Sequence, residues 1–224
     1  MFTGIVEAVG TIESLQPSGG DYRVKINVGS LDMADVNLGD SIAVNGVCLT
    51  VIEFDSRSFS ADVSLETVRH TCFAHFRAGR KVNLEKAMMP TSRLGGHIVS
   101  GHVDGVGKVV ERRDDARSVR FRIQAPKHLL KYIADRGSIT VDGTSLTVNG
   151  LDGDIFELNI VPHTLAETVL EGYSAGQELH LEVDLIARYL ERLLTANQTP
   201  DSDSSGMSIE FFSPARFLPG LIPK

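Results

Sequence analysis

Two pairs of polar side chains occupy matched places in this 224-residue sequence: Cys48 and Thr50, and, 97 positions later, Ser145 and Thr147. Each pair alternates with apolar residues. In a strand, Val47, Leu49 and Val51 take the core face and turn Cys48 and Thr50 to the other. Ser145 and Thr147 do the same in their own run. A thiol turned away from a core is a candidate nucleophile, because the thiolate is the reactive form and needs access. Hydroxyls on that face can hydrogen-bond an anion as it develops. A further candidate is His102, which alternation places with Ser100 and Asp104 and opposite Gly101, Val103 and Gly105. Its chemistry is proton transfer near neutral pH. Asp142, just ahead of Ser145, is a weaker acid or base candidate. Metal chemistry is not indicated. His97 and His102 are five apart on an extended run, hence on opposite faces, and no second cysteine stands at ligand spacing from Cys48. Cys72, beside Phe73 on an apolar helical turn, is assigned to packing.

The matched places belong to a repeat. Ser41–Val51 recurs without a gap as Ser138–Val148, and the same offset of 97 lays Gly4–Gly10 on Gly101–Gly107, Thr67 on Thr164 and Gly79 on Gly176. An ungapped register over so long a span means one fold used twice and two similar pockets. The aligned pairs Ile5/His102, Cys48/Ser145 and Glu66/His163 mark where the two copies differ.

Each copy reads as short strands between turns. In the first copy these are Gly4–Ile12, Tyr22–Val28, Ser41–Val44, Val47–Phe54, Ser58–Ser64 and Lys81–Glu85. A loop over Gln16–Asp21 joins the first two. Asn45-Gly46 and Asp142-Gly143 are type I′ hairpin signals. Leu31–Val36 is expected to form a short helix, matched by Lys127–Ile133, and Glu66–Phe73 one or two helical turns. So many short strands hide their edges best in a closed antiparallel barrel. Gly101–Gly107 has no helix after it, so a dinucleotide-binding loop is rejected. The division expected is a barrel over 1–97, a second over 98–183, a helix over 184–197 and a flexible tail over 198–224. In that helix Leu185, Ile186, Tyr189, Leu190, Leu193 and Leu194 share a face opposite Arg188, Glu191 and Arg192. Packing on its own barrel and contact between subunits both suit such a face. The apolar tail reads as disordered or as a docking segment.

Hydrophobic content of 42% and charged content of 23% suit an ordinary globular chain. A net charge of −7 with no basic run argues against nucleic acid and anionic membrane as partners. No apolar run reaches membrane-spanning length. Two cysteines without a CxxC fit a reducing compartment. The N-terminus lacks the basic start of a signal peptide and is interrupted by Glu7. A cytoplasmic enzyme or binder is the expectation.

The motifs Met1–Val6, Asn45–Val51, Gly95–Gly105 and Asp142–Val148 together resemble riboflavin synthase, the family built on a duplicated barrel, over about residues 1–195. The resemblance implies two six-stranded Greek-key barrels, a C-terminal helix that assembles a homotrimer, and active sites between neighbouring subunits. It implies a transferase that needs no cofactor or metal. Two molecules of 6,7-dimethyl-8-ribityllumazine exchange a four-carbon unit, giving riboflavin and 5-amino-6-(D-ribitylamino)uracil. By motif matching, one pocket uses Gly4, Ile5 and Val6 with Cys48, Leu49, Thr50 and the segment Asp62, Val63, Ser64, Leu65, Glu66 and Thr67. The other uses Gly101, His102 and Val103 with Ser145, Leu146, Thr147 and the segment Asn159, Ile160, Val161, Pro162, His163 and Thr164. Ser41 and Asp184 also match positions near the site. Arg136 stands where the family has lysine, and Ser64 where a bulkier residue is common. The resemblance admits association with lumazine synthase, and it leaves a rival reading: a non-catalytic lumazine- or flavin-binding relative on the same barrels.

Overall fold

The structure, a computed structural model, describes residues 1–196. The first copy of the repeat supplies β1 (Ala8–Ser18), β2 (Asp21–Asn27), β3 (Ser41–Val44), β4 (Val47–Phe54), β5 (Ser58–Val63), α1 (Leu65–His70) and β6 (Lys81–Lys86). The second supplies β7 (Gly105–Asp115), β8 (Ser118–Gln124), β9 (Ser138–Val141), β10 (Thr144–Asp152), β11 (Ile155–Ile160), α2 (Pro162–Ala166) and β12 (Glu178–Val183). Each copy closes into an antiparallel barrel, with neighbours in the order β1-β2-β5-β4-β3-β6 and β10-β11-β8-β7-β12-β9. Closure leaves no strand edge to protect. Even the irregularities repeat. Register shifts at Ile12/Ser14 and Val51/Glu53 recur at Val109/Glu111 and Val148/Gly150. Such bulges bend the strands round the barrel.

Alternation decides what fills each barrel. Ile26, Ile42, Phe59 and Leu84 are fully buried in the first, and Phe121, Ile123, Ile139 and Phe156 in the second. The hairpin residues behave as their types demand. Asn45 (φ 46°) with Gly46 (φ 78°), and Asp142 (φ 44°) with Gly143 (φ 78°), are left-handed at both central positions, the type I′ pattern.

These two turns meet back to back. A Cβ on Gly46 would lie 2.8 Å from the Gly143 amide nitrogen, and one on Gly143 would lie 2.7 Å from that of Gly46. Round this local twofold axis the repeat makes reciprocal bonds. The Asn83 amide donates to Asn45 Oδ1 (2.7 Å), its Nδ2 donates to the Asp142 carbonyl (2.9 Å), and its Oδ1 accepts from the Val169 amide (2.9 Å). His180, the counterpart of Asn83, donates from its amide to Asp142 Oδ1 (3.0 Å). Its Nδ1 bonds the Asn45 carbonyl (2.8 Å), and its Nε2 accepts from the Cys72 amide (2.7 Å).

Three expectations need correction. Residues before Ala8 and before Gly105 are extended arms and not strands, because the amides of Thr3 and Gly4, and of Ser100, Gly101 and His102, go to buried carboxylates. Leu31–Val36 forms turns and no helix. The Asp32 carboxylate takes the Ala34 amide, while Leu31, Met33 and Val36 all drop into the core. Its counterpart Lys127–Tyr132 is a 3-10 helix. The first hairpin loop is also shorter than expected, since β1 runs on to Ser18 and leaves Gly19 and Gly20 to turn the chain.

The unit beyond Asp184 begins with α3 (Leu185–Ala196). Ile186, Tyr189, Leu190, Leu193 and Leu194 are each half or more exposed on it. No described helix is long and apolar enough to cross a membrane. The tail expected over 198–224 lies outside the described residues, as does Asn197.

Candidate active site

The two arms pair with each other and then part. The Phe2 amide donates to the Val99 carbonyl (2.8 Å), and the Val99 amide to that of Phe2 (3.1 Å). Beyond this bridge each arm crosses to the other barrel. The Gly4 carbonyl accepts from the Ser145 amide (2.7 Å), and the Gly101 carbonyl from the Cys48 amide (2.9 Å). Only glycine fits at either crossing. Gly4 has φ 75° and Gly101 φ 80°, and a Cβ there would lie 2.6 Å from Ser145 Cβ or 2.7 Å from Cys48 Cβ.

The segments are therefore grouped differently from the motif-based expectation. The Gly4 carbonyl meets Ser145 and the Gly101 carbonyl meets Cys48, with Val103 packed against the first barrel's core, while the Glu7 and Asp104 amides keep each arm bonded to its own barrel.

The side chains expected at the two sites face outward from the barrels. On β4, Val47, Leu49 and Val51 are buried, whereas Cys48 is half-buried and Thr50 exposed; on β10, Ser145 is half-buried and Thr147 exposed. Cys48 pairs with Ala43 and Thr50 with Ser41 across the hairpin. Phe2, Ala43 and Val99 form a small apolar cluster against Cys48. Since β4 runs antiparallel to β5 from Val51 opposite Ala61, the end of β5 brings Asp62–Thr67 towards the Cys48 end. The pairing of Val148 with Leu158 brings Asn159–Thr164 towards Ser145 in the same way.

Within these segments, Val63 and Ile160 point into the cores, while Asp62, Ser64, Leu65, Glu66, Asn159, Val161, Pro162 and His163 are exposed. Asp62 is bound to Arg23 (2.9 Å) and Glu66 to His70 (2.9 Å). Ser64 caps α1 by accepting from the Thr67 amide (3.1 Å), a local reason for the small residue there. Pro162 opens α2, where its missing amide costs nothing. Arg136 is exposed and left-handed (φ 61°), with its amide on the Val148 carbonyl (2.9 Å). Asp184 and Leu146 are half-buried.

Asp142 is a correction. Its carboxyl is 1% exposed, accepts the Tyr173 hydroxyl and the His180 amide, and is raised by burial. It serves the junction between the barrels and is closed to a substrate. Cys72 is buried, and burial pushes its thiol up to about 12, which leaves Cys48 as the accessible thiol.

Three residues that sequence reasoning passed over stand at the site. His97, considered only as a metal ligand, bonds Ser145 Oγ through Nδ1 (2.7 Å). Burial lowers its pKa, and the charge of Asp184 opposes that shift. Glu85 and Glu182 hold the arms. Glu85 Oε1 accepts the Thr3 amide (2.6 Å) and hydroxyl (2.8 Å), and Oε2 the Gly4 amide (3.0 Å). Glu182 Oε1 accepts the Ser100 amide (2.7 Å) and hydroxyl (2.6 Å), and Oε2 the amides of Gly101 (3.0 Å) and His102 (3.1 Å). The signal was a glutamate at the same place in two otherwise core-facing strands. Among the described residues, no three of His, Cys, Asp and Glu are placed to hold a metal ion.

A family model described as a lumazine binding domain matches residues 3–87 and again 100–184. A riboflavin synthase of Photobacterium phosphoreum is 48% identical over 218 residues, 97% of this chain and 100% of the relative. One from Bacillus subtilis (strain 168) is 43% identical over 194 residues, 87% of this chain and 90% of the relative. The chain belongs to the riboflavin synthase family. The likeness to these riboflavin synthases spans both barrels, so both pockets, with their differences, lie within it. Among solved structures, LumP complexed with riboflavin superposes with a TM-score of 0.76 at 26% identity, over 82% of this chain and 99% of that one. LumP complexed with 6,7-dimethyl-8-(1'-D-ribityl) lumazine gives 0.74 at 25%, with the same coverage.

Proposed function

We propose that the protein is a riboflavin synthase: a transferase that dismutates two molecules of 6,7-dimethyl-8-ribityllumazine into riboflavin and 5-amino-6-(D-ribitylamino)uracil. The observation that carries the reading is identity of 48% to a riboflavin synthase across all of that relative's length. The twin, unequal pockets suit a reaction of one compound with itself.

In this reading the 7-methyl group of one lumazine loses a proton, and its anion attacks a second lumazine held against it. Holding both in reacting register contributes on the order of 7 kcal/mol at best. His102, beside Cys48, moves the proton. Cys48 and Thr50 act on the ligand of that pocket, the thiol as nucleophile or as an aid to water addition. Ser145 and Thr147 hydrogen-bond the ligand of the other pocket, with His97 oriented on Ser145. Backbone amides and carbonyls of the arms and of the segments after β5 and β11 suit the pyrimidinedione edge, and Arg136 supplies a cationic contact to a neighbouring subunit's ligand.

In this reading the two pockets of one chain belong to separate barrels, and the second substrate is supplied by another subunit. A homotrimer built through α3, with the first barrel of one subunit facing the second barrel of the next, meets that need. The exposed apolar stripe of α3 supports it. A cytoplasmic location and association with lumazine synthase complete the proposal.

The rival reading is a carrier that binds lumazine without turnover, as LumP is seen bound to lumazine and riboflavin. Protein mixed with 6,7-dimethyl-8-ribityllumazine alone decides. Riboflavin absorbance rising in equal molar yield with the pyrimidinedione supports the enzyme, and tight binding without product identifies a carrier. Cys48→Ser and His102→Gln are expected to slow turnover far more than they weaken lumazine binding. Near-native rates would remove those roles.

A further inference from the structure

The buried carboxylate of Glu182 takes four donors from three consecutive residues of one arm. Those donors fix the backbone of Ser100, Gly101 and His102, and the Gly101 carbonyl in turn meets the Cys48 amide at 2.9 Å. The amides of Ser100, Gly101 and His102 all go to this carboxylate, which does for them the work of a ladder. A carboxylate suits this task, because a neutral amide in its place would turn a donor towards amides that also donate.

We propose that Glu182 is a positioning residue for the reaction: through the arm backbone it sets where the His102 ring stands relative to Cys48. Glu85 does the same for Ile5 opposite Ser145. Neither carboxylate touches the substrate. The inference rests on the reading of His102 as the proton-transfer group, and it explains how an exposed ring on an irregular segment is held in reacting register. Loss of register by a fraction of an ångström slows a reaction without abolishing binding.

Glu182→Gln, which keeps size and removes the second acceptor, is the test. It is measured by turnover, by lumazine affinity, and by hydrogen exchange of the Gly101 and His102 amides. The expected result is a kcat lower by about tenfold or more with lumazine affinity within about threefold, the pattern of a lost transition-state interaction. Faster exchange of the two arm amides is expected with it, and partial recovery of kcat in Glu182→Asp. A role confined to stability would lower the melting temperature and leave kcat and arm exchange unchanged, and that result overturns the proposal. Should Glu182→Gln fail to fold, Ser100→Ala removes one donor and keeps the carboxylate. A kcat lower by about threefold is then expected, and an unchanged kcat overturns the proposal. His102→Gln run in parallel separates the two claims. If it turns over at the native rate while Glu182→Gln frees the arm amides, the role of His102 fails and the anchoring stands.

Discussion

At the scale of residues, one sequence holds two thiols with opposite fates. Cys48 is half-buried on the outward face of β4, and Cys72 is buried with its thiol raised to about 12. A disulfide-exchange reagent at neutral pH is therefore expected to titrate one thiol in the native protein and two in denaturant; rapid modification of Cys72 in the native state would count against the burial described. Burial lowers the pKa of the His97 ring, which favours the neutral form that shares a hydrogen bond with Ser145 Oγ. An NMR titration of that ring should give a midpoint below that of an exposed histidine, and a midpoint at or above it would contradict the geometry. Cys48 and Thr50 were legible because β4 is a true strand and alternation holds along it. At His102 the chain is an arm and not a strand, so alternation gave no guide to which barrel it would lie against. His97 was weighed against metal spacing, a test that could not reveal a partner 48 positions away.

At the scale of elements, the offset carried nearly everything that is regular: strands, hairpins and α1 against α2. What it could not disclose was where the irregular arms go, since a segment without a ladder has no period to read. Nor could a hairpin turn, usually a surface feature, announce that it would be buried against its own copy. There the two halves differ in a way that titrates. Asn83 and His180 make equivalent bonds, yet only His180 can gain a proton, and its Nε2 already accepts from the Cys72 amide. Burial depresses the pKa of His180, the attraction of Asp142 opposing it. A depressed folded value means stability that is present above the unfolded pKa and lost as pH falls through the folded one. Asp142, raised by burial, works in the opposite sense, its contribution being lost as pH rises. His180→Asn is thus expected to flatten the fall in melting temperature below the ordinary histidine range. A variant that retains the full acid sensitivity would place its source elsewhere.

At the scale of the whole molecule, the two barrels form one unit from Met1 to Asp184, joined by the back-to-back turns and by one carbonyl of each arm. Calorimetry should show this unit melting in a single transition with calorimetric and van't Hoff enthalpies in agreement. Two separate transitions would mean that the arms couple the barrels weakly. If the proposed trimer forms through α3, truncation ahead of that helix should leave a monomer by sedimentation and end turnover while lumazine still binds. A trimer that survives the cut would assign assembly to another surface. The use of α3 could not be read from composition, because an amphipathic face serves equally against a barrel or a neighbour.

The back-to-back turns at Gly46 and Gly143 have a consequence for ancestry. Two separate copies of a half-length chain, related by a true twofold axis, could make the same junction, with each lending its arm to the other. In such a dimer both halves have one sequence, so Asn45 and Asp142, or Asn83 and His180, would have to be alike. In a single chain that constraint is absent, and one side of a self-complementary junction can differ from the other without dissolving the contact between them.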